Sequence, residues 1–467
     1  MSLVLLLCLP TIMLGGTPKY TAHTFLESNS FALQAQVAAD PVLDVIYCFG
    51  QFEGQLVVGG DTVTSRGQVD GFLACYSTTW QLRWVEQFGG PGADNVQDVV
   101  VIPGDGVVAT LQCGGNTTSY TTYTIGDVTY SGRGNMDAVV ADISADGVVR
   151  WSRNDGAERY ENPVAIHRFS DGSLAVCGTF GVRSRFDTVI IDAGPGGIGG
   201  FLQLLTPDGQ QSWVAYSMSD TSVDLPLEDP GTAGFVGFTE LTDTSLRVVV
   251  KGTGANRIAD ISFFLHEGGN EVVRFDRAGI PSQPRGSQLC TGPWIYFRSP
   301  EMTDGLSGVD PDCTPQRTNW ITWHENPYGR KDTITRSYFI DPKASSWRTW
   351  VTNIHRSGTR SLICGAFADT IDLLQTAAYP DAIAQSDESS NHPFIILGDD
   401  VGTFRRILHI ATTGSGSAHS AAYTRSGLAA VLQTSGDLQL GDGTVPSPNG
   451  LTLVTFADPT VGVEGDG

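Results

Sequence analysis

Lysine is scarce in this sequence. Its 467 residues include 28 Lys and Arg against 50 Asp and Glu, for a formal net charge of -22 at pH 7. Lysine itself occurs only at Lys19, Lys251, Lys331 and Lys343. Because a surface of this charge repels phosphate backbones, the composition argues against nucleic acid as a partner. The charge instead favours a soluble secreted or assembled particle.

Long helical patterns are also missing. Hydrophobic residues make up 40% of the chain, but they cluster in short runs such as DVVVIP, VIID and RVVV. They do not recur every 3.6 residues, as the buried face of a helix requires. The 56 Gly and 23 Pro residues separate these runs. This pattern predicts many short strands and an all-β protein.

Motifs of known chemistry are missing or stand in the wrong context. We find no Walker loop, no GxSxG and no HExxH, and WHENPYG at 323–329 lacks the second His. GPGGIG at 194–199 satisfies the dinucleotide pattern, but FLQLL, a predicted strand, follows where a helix should bind the pyrophosphate. We interpret it as a loop like SGRGNM at 131–136, and we expect no catalytic residue and no cofactor.

Acidic residues in TDGLSGVDPDC are the pattern closest to a metal site. Asp304, Asp310 and Asp312 offer clustered oxygen ligands, which calcium prefers. Their spacing does not match an EF-hand loop. We therefore favour a solvated loop, with calcium binding as the alternative.

What the sequence does contain is a repeat. Two stretches share one frame, which begins with Asp and ends with Trp fourteen positions later: DGFLACYSTTWQLRW at 70–84 and DAVVADISADGVVRW at 137–151. Each copy predicts a strand, a turn such as Asp146-Gly147, a second strand, and then another hairpin. The spacings from Asp70 onward are 67, 62, 70, 67, 56 and 58 residues. The frames begin near Asp70, Asp137, Gly199, Gly269, Arg336, His392 and Gly450.

Four strands per repeat are typical of a propeller blade. The last frame, GLTLVTFADP at 450–459, stops after one strand, and segments at 20–25, 31–39 and 43–50 supply the missing strands. Pairing the C-terminal strand with these N-terminal strands would close a ring and remove exposed sheet edges. The sequence therefore predicts an all-β, seven-bladed β-propeller with four-stranded blades of about 56–70 residues.

Two stretches of the repeat, GQFEGQLVVGGDTVTSRGQVDGF and FGGPGADNVQDVVV, together with the Asp-to-Trp frame, resemble the SBBP-type β-propeller repeat family. That family occurs mainly in secreted or surface-exposed bacterial proteins. The likeness is good over 43–200, weaker over 201–285 and 336–459, and poor over 286–335. The resemblance implies a scaffold without a catalytic signature, so it implies no particular function.

The N-terminus begins with MSLVLLLCLPTIMLGG, an apolar run of signal-peptide length. Residues 1–16 are either a cleaved secretory signal or an arm retained in an assembly, since no Lys or Arg precedes the run and Pro10 interrupts it. The run is too short and broken for a transmembrane span, and we expect none. We expect residues 17–459 to form one propeller domain and 460–467 to be an acidic, Gly-rich tail.

The cysteines fall into two groups. Cys48, Cys113, Cys177 and Cys364 end the same predicted strand of different repeats. Such positions lie too far apart to bridge, so we interpret these residues as small buried hydrophobes. Cys290 and Cys313 lie in the segment that departs from the repeat, and they are the candidate disulfide, which would need an oxidising compartment.

Residues 286–335 break the repeat and concentrate aromatic residues with arginine. These residue types dominate protein interfaces, and aromatic faces also stack on sugars. The alternative is that they cover the core of an irregular blade. The candidate contact residues are Trp294, Tyr296, Phe297, Arg298, Arg317, Trp320, Trp323, Tyr328 and Arg330.

Three functions fit these observations. The first is a non-enzymatic scaffold or attachment protein of an extracellular assembly, such as a phage tail-type structural component of a virion, which contacts protein subunits or a receptor. The second is a secreted or cell-surface adhesion protein that binds protein or glycan, with cleavage near Gly16. The third is a carbohydrate-active propeller enzyme with acidic, His or Tyr side chains at one mouth of the channel. The first two share binding without turnover.

Overall fold

The computed structural model describes residues 18–30, 32–115, 121–157, 159–193, 197–219, 232–242, 245–282, 295–296, 305–306, 340–342, 350–357, 360–368, 370–373, 383–385, 390–398, 404–446 and 450–458. These residues form strands β1 to β35 and no helix, which confirms the all-β prediction. Among them there is accordingly no long apolar helix of the kind that crosses a membrane.

Most strands of the described residues form antiparallel sets of four, which we call units 1 to 6. Unit 1 comprises β2 (Gln34–Asp40), β3 (Val45–Val58), β4 (Asp61–Ser77) and β5 (Leu82–Phe88). Unit 2 comprises β6 (Ala93–Ile102), β7 (Gly106–Gly115), β10 (Asp137–Ser144) and β11 (Val149–Asp155). Unit 3 comprises β12 (Glu161–Arg168), β13 (Leu174–Gly181), β16 (Ile198–Leu205) and β17 (Gln211–Ser219).

The other three units follow the same pattern. Unit 4 comprises β18 (Thr232–Thr242), β19 (Ser245–Ile258), β20 (Ile261–Asp276) and β21 (Pro281–Ser282). Unit 5 comprises β25 (Trp350–Ser357), β26 (Arg360–Phe367), β29 (His392–Gly398) and β30 (Phe404–His409). Unit 6 comprises β31 (Gly416–Tyr423), β32 (Gly427–Thr434), β35 (Gly450–Ala457) and β1 (Lys19–Ser28).

Small hairpins join the second and third strands of four units. They are β8 (Thr122–Ile125) with β9 (Val128–Ser131), β14 (Arg183–Phe186) with β15 (Val189–Asp192), β27 (Thr370–Leu373) with β28 (Ile383–Gln385), and β33 (Leu438–Leu440) with β34 (Gly443–Val445). In units 1 and 4 the second and third strands continue past a bulge into the hairpin. The short strands β22 (Ile295–Tyr296) and β23 (Gly305–Leu306) pair together, and β24 (Ile340–Pro342) pairs with β27.

The strands of a unit run between two ends, because successive strands are antiparallel. The small hairpins and the links to the next unit lie at one end, which we call the hairpin end. The turns that join the first strand to the second and the third to the fourth lie at the other, which we call the turn end.

The C-terminal strand β35 pairs with the N-terminal strand β1 over Gly450↔Glu27 to Ala457↔Lys19. The expected pairing between the two termini is therefore present. The other N-terminal strands, β2 and β3, belong to unit 1 and do not complete the last frame. The reason is that the sequence frame starts at the third strand of a unit, so each frame spans parts of two sheets.

Neighbouring units are linked by one recurring contact. A parallel bridge joins a third strand to the start of the next unit's first strand at Val69↔Ala93 and Gly199↔Ala233, and an isolated bridge at Met136↔Tyr160 repeats it. These bridges connect units 1 to 2, 3 to 4 and 2 to 3, respectively. The repeat therefore specifies how units join as well as how each unit folds.

Bulges in the first strands provide a second link. In β6 the bulge lies at Gln97, and the carboxylate of the following Asp98 accepts a 2.8 Å bond from the N–H of Ile166 in unit 3. In β31 the bulge lies at His419, and the hydroxyl of the following Ser420 accepts a bond from the N–H of Val37 in unit 1. A bulge leaves one residue unpaired in its own ladder, and here it turns the next side chain toward the neighbouring unit.

The apolar cores lie between adjacent units. One cluster combines Tyr47 and Leu73 of unit 1 with Leu111 and Val139 of unit 2, all fully buried. The cysteines Cys48, Cys113, Cys177 and Cys364 are buried and free, as is Cys75. Their prediction as small buried hydrophobes is thus confirmed. Each fills space in a core made by two sheets.

Candidate functional site

Buried carboxylates gather at the hairpin end of units 1 to 3. Asp137 begins the third strand of unit 2, and Asp70 lies just past the bulge in the third strand of unit 1. Asp94 and Glu161 lie at the start of the first strand of units 2 and 3. All four are at most 2% exposed. Buried titratable groups with shifted pKa values are typical of catalytic sites, so their hydrogen-bond partners decide the interpretation.

Asp94 binds two backbone amides. One oxygen accepts a 2.9 Å bond from the N–H of Gly90, and the other accepts a 2.7 Å bond from the N–H of Gly114. Burial raises the pKa of this carboxyl to about 6 although both bonds favour the charged form. Asp94 therefore fixes the chain before β6 to the end of β7.

Asp137 has the same role in the next loop. It accepts bonds from the hydroxyl of Tyr123 at 2.9 Å, from Nδ2 of Asn154 at 3.2 Å and from the N–H of Arg133 at 3.0 Å. Burial is the main cause of its raised pKa. Asp70 repeats the pattern in unit 1, where it accepts from the backbone four residues earlier and from a fourth-strand side chain, Gln87.

Glu161 is the most strongly shifted of these groups. Burial, opposed in part by a bond from Ser184 and reinforced by the charges of Asp137 and Asp155, raises its pKa to about 8. One oxygen accepts a 3.4 Å bond from the N–H of Ala157. The side chain is thus mainly protonated at pH 7. It again binds a backbone amide four residues earlier in the sequence.

The loops held by these carboxylates present arginines to solvent. We call Arg133, Arg159, Arg183 and Arg185 the arginine patch; all four side chains are exposed. Backbone bonds tie their loops together, since the N–H of Asn135 donates to the carbonyl of Arg159 at 2.6 Å and that of Gly156 donates to the carbonyl of Arg185 at 3.0 Å. The patch therefore belongs to one surface at the boundary of units 2 and 3.

Two guanidinium groups of the patch donate to backbone oxygens, and none of the four forms an ion pair with another described residue. Arg133 donates to the carbonyl of Asn154 at 3.2 Å, and Arg185 donates to that of Asp187 at 2.7 Å. Ile190 pairs with Arg185 across the β14–β15 hairpin and is 54% exposed. An exposed apolar residue beside arginines that retain free donors makes a surface suited to protein contact.

A histidine pair occupies the matching place in unit 5. His392 and His409 take the positions that Asp70 and Gln87 hold in unit 1. Their rings stack with centroids 5.1 Å apart, and Nδ1 of His392 lies 2.8 Å from Nε2 of His409. Burial, with a smaller contribution from His392, lowers the pKa of His409 to about 4. Sequence patterns carried no signal for this pair, because the two residues lie on different strands.

Beside this pair is an open groove of about 310 Å³. It is lined by uncharged residues, nearly all with a hydroxyl or amide side chain: Asn391, Ser415, Gly416, Ser417, Gln433, Thr434 and Ser435. Across the described ranges, no three His, Cys, Asp or Glu side chains come together in a way that could hold a metal ion. No residue that lines the groove is charged.

The residues singled out from the sequence fall mostly outside the described ranges. Tyr296 lies in the two-residue strand β22. The GPGGIG segment leads into β16 from residue 198 onward, as expected for a blade loop, and its residues 194–196 are outside the described ranges. So are the apolar N-terminal segment, the tail, and Trp294, Phe297, Arg298, Arg317, Trp320, Trp323, Tyr328, Arg330, Cys290, Cys313, Asp304, Asp310 and Asp312.

Sequence reasoning missed the arginine patch, although one signal for part of it was present. An Arg followed by Gly stands four residues before the Asp of the frame in SRGQVDG and GRGNMDA, at Arg66 and Arg133. The other members lie in loops whose proximity depends on how two units pack. Composition alone therefore pointed to an acidic surface and hid a local basic one.

The chain matches no family model, and the search of curated proteins finds no match.

Proposed function

We propose that the chain is a single seven-bladed β-propeller of the SBBP type. Units 1 to 4 follow one another through recurring bridges, and unit 6 joins unit 1 through Ser420 and Val37. Between units 5 and 6 the hydroxyl of Thr352 donates to the carbonyl of Ala418. The interval 283–349 lies between units 4 and 5 and is about as long as one repeat, so it has room for a seventh blade.

We propose that this propeller is a non-enzymatic scaffold or attachment protein of an extracellular assembly, most simply a tail-type structural component of a virion. The supporting observation is the use of the buried carboxylates. Asp70, Asp94, Asp137 and Glu161 all bind loop backbone, so the groups that would serve acid–base chemistry instead hold a binding surface in place. The partners are protein subunits of the assembly or a surface receptor.

The proposal is tested on the protein from its natural source. The sample is fractionated under mild conditions, and each fraction is characterised by intact mass, N-terminal sequence and electron microscopy. We expect the chain to remain with a large particle and to begin at Met1 or Ser2.

Two other outcomes would overturn the proposal. A free chain that begins near Thr17 and binds cells or glycans would identify a secreted adhesion protein. Turnover of a polysaccharide by the purified chain would identify an enzyme.

A further inference from the structure

We infer that units 6 and 1 recognise each other through a contact in which the usual large and small residues have changed places. Trp80, in the turn between β4 and β5 of unit 1, stands where units 2 to 4 have glycine. Ala22, in β1 of unit 6, stands where units 1 to 3 have tryptophan. Because these two units hold the strands at the two ends of the chain, this contact closes the ring. Ring closure rests on the proposed propeller, whereas the exchange itself lies within described residues.

The usual contact lies at the turn end, between a fourth strand and the turn that joins the third and fourth strands of the next unit. A Cβ atom added to the turn glycine would come within 2.9 Å of the Trp ring in each case. These glycines have φ values of +80° to +85°. The contact therefore requires a ring in one unit and no side chain in the next. The three pairs are Trp84 with Gly147, Trp151 with Gly209 and Trp213 with Gly279.

Trp80 occupies the glycine position of unit 1. Its N–H donates to the carbonyl of Ser77 at 2.9 Å, as the N–H of Gly147 donates to that of Ser144 at 3.0 Å. Its φ is +63°, in the left-handed region that glycine adopts easily and tryptophan does not. Its Nε1 is buried and has no hydrogen-bond partner among the described residues. Since both features are unfavourable, the presence of this ring is explained by the space that it fills.

Ala22 occupies the tryptophan position of unit 6. It pairs with Thr455 beside a bulge in β1, as Trp84 pairs with Cys75 beside a bulge in β5. Thr455 and Cys75 hold the same place in their third strands, which begin the frame at Gly450 and Asp70. Unit 6 therefore presents a methyl group to unit 1 where other units present an indole ring.

The ring of Trp80 packs in the core that units 6 and 1 share. It is 5% exposed, and its centroid lies 5.5 Å from that of the Tyr76 ring. The same cluster contains Leu451 and Leu453 of unit 6, and Ala22 packs against it. Trp80 thus supplies from the turn the ring that the fourth strand supplies at the other boundaries.

Unit 6 also meets unit 5 through a contact of its own. Arg406 holds the tryptophan position in β30, since it pairs with Leu397 beside the bulge of that strand. Its guanidinium forms a 3.0 Å ion pair with Asp458, which directly follows β35 of unit 6 and is 2% exposed. A tryptophan at this position would leave that buried carboxylate without its cation. Unit 6 is therefore matched to unit 5 on one side and to unit 1 on the other.

Other pairings would be mismatched. Ala22 against a turn glycine would leave a cavity the size of an indole ring. Trp84 or Trp151 against Trp80 would force two rings into one space. Specificity comes from the rejection of such neighbours as well as from the fit of the correct one. A repeat protein whose contacts were all alike could pair its end units with a second copy, and the exchanged contact disfavours that outcome.

The test is a double-mutant cycle in the full chain. Trp80→Gly gives unit 1 the usual turn, and Ala22→Trp gives unit 6 the usual strand, so each single variant reproduces one mismatched pairing. The double variant, Ala22→Trp with Trp80→Gly, restores the usual contact. The control combines Trp80→Gly with Trp213→Ala, at the boundary of units 3 and 4, and each is also made alone. Thermal and urea unfolding measure stability, and hydrogen exchange of the β1 amides locates the change.

We expect Trp80→Gly and Ala22→Trp each to lower the melting temperature by several degrees and to speed hydrogen exchange in β1. The double variant should melt above both of them and close to the wild type, because residues that compete for one space are coupled. In the control the two losses should add, since Trp80 and Trp213 lie at different boundaries.

Three results would overturn the inference. The first is a Trp80→Gly variant as stable as the wild type. The second is a double variant that shows the sum of the two single losses or does not fold. The third is an open arc of units, in place of a ring, in electron micrographs of the wild type. A closed ring with uncoupled variants would leave the propeller standing and remove only the recognition between units 6 and 1. Retention of the chain in a natural particle tests the proposed function separately.

Discussion

The indole of Trp84 in unit 1 lies on the glycine of the next unit's turn, Gly147. A Cβ atom on Gly147 would come within 2.9 Å of Cδ2 of Trp84, and Nε1 of Trp84 donates a 2.7 Å bond to the carbonyl of Ala145 in that turn. Gly147 has a φ of +85°. The same contact recurs as Trp151 on Gly209 and Trp213 on Gly279. The Trp and the turn glycine of the repeat thus contact each other across the boundary between two units.

Replacing Gly147 tests this contact between units. In Gly147→Ala, the added methyl group meets the Trp84 ring and the residue must also adopt a left-handed backbone. We expect a loss of about 1 kcal/mol from the backbone and about 1 to 3 kcal/mol more from the clash. Denaturant unfolding measures the sum.

Gly60→Ala is the matched control. Its φ is +96°, and nothing lies within 4 Å of the added Cβ. This variant should lose only the backbone contribution. Equal losses in the two variants would show that the Trp84 ring moves aside without lowering the free energy of unfolding.

Glu161 makes stability depend on pH in an unusual direction. Its pKa rises from the usual value of 4.5 to about 8 in the folded chain, so folding retains a proton that the unfolded chain releases. The resulting stability is fully present below pH 4.5 and is lost as the pH rises through about 8. The slope is about 1.4 kcal/mol per pH unit within that window.

Glu161→Gln removes this titration. The variant should be more stable than the wild type above pH 8, and its unfolding free energy should change less between pH 5 and pH 8. Urea unfolding across this range measures the difference. Asp127→Asn, at an exposed site, serves as the control. Parallel curves for wild type and Glu161→Gln would contradict the assigned role of Glu161.

Asp137 should hold the loop that carries Arg133. In Asp137→Ala the buried hydroxyl of Tyr123 and the backbone N–H of Arg133 both lose their hydrogen-bond acceptor. We expect a loss of about 3 kcal/mol of stability and faster tryptic cleavage after Arg133. Trypsin should cleave the control variant Asp127→Ala at the wild-type rate. Cleavage of Asp137→Ala at that same rate would contradict the role of the carboxylate in holding the loop.

The buried cysteines should be unreactive in the folded protein. Burial raises the pKa of Cys48, Cys113, Cys177 and Cys364 above the usual value, so almost no thiolate forms at neutral pH. We expect these four to react with iodoacetamide only after denaturation, as peptide mass mapping would show. Rapid labelling of any of them in the native chain would contradict their placement in the cores.

The disulfide between Cys290 and Cys313 stays a prediction. Non-reducing peptide mapping of the exported or particle-bound protein should find the two residues in one linked peptide pair. Two separate, alkylated peptides would exclude the bridge.

The sequence by itself determined the strands and the way they repeat. Asp-Gly turns, short apolar runs and the recurring Trp are local features, so they predicted the all-β structure and the pairing of the last strand with the first. Only the tertiary structure decided what the acidic residues do. Burial of Asp94 and Glu161 depends on a neighbouring unit, and burial sets both their pKa values and their bonds to loop backbone.

The arginine patch and the histidine pair were likewise decided by packing. Arg133 and Arg185 share a surface because the segment between units 2 and 3 forms backbone hydrogen bonds with both of their loops, at Arg159 and at Gly156. His392 meets His409 because strands β29 and β30 pair in one register. Spacing along the chain carries no information about either contact. Local patterns specify local structure, whereas a binding surface made by several loops exists only once the sheets have packed.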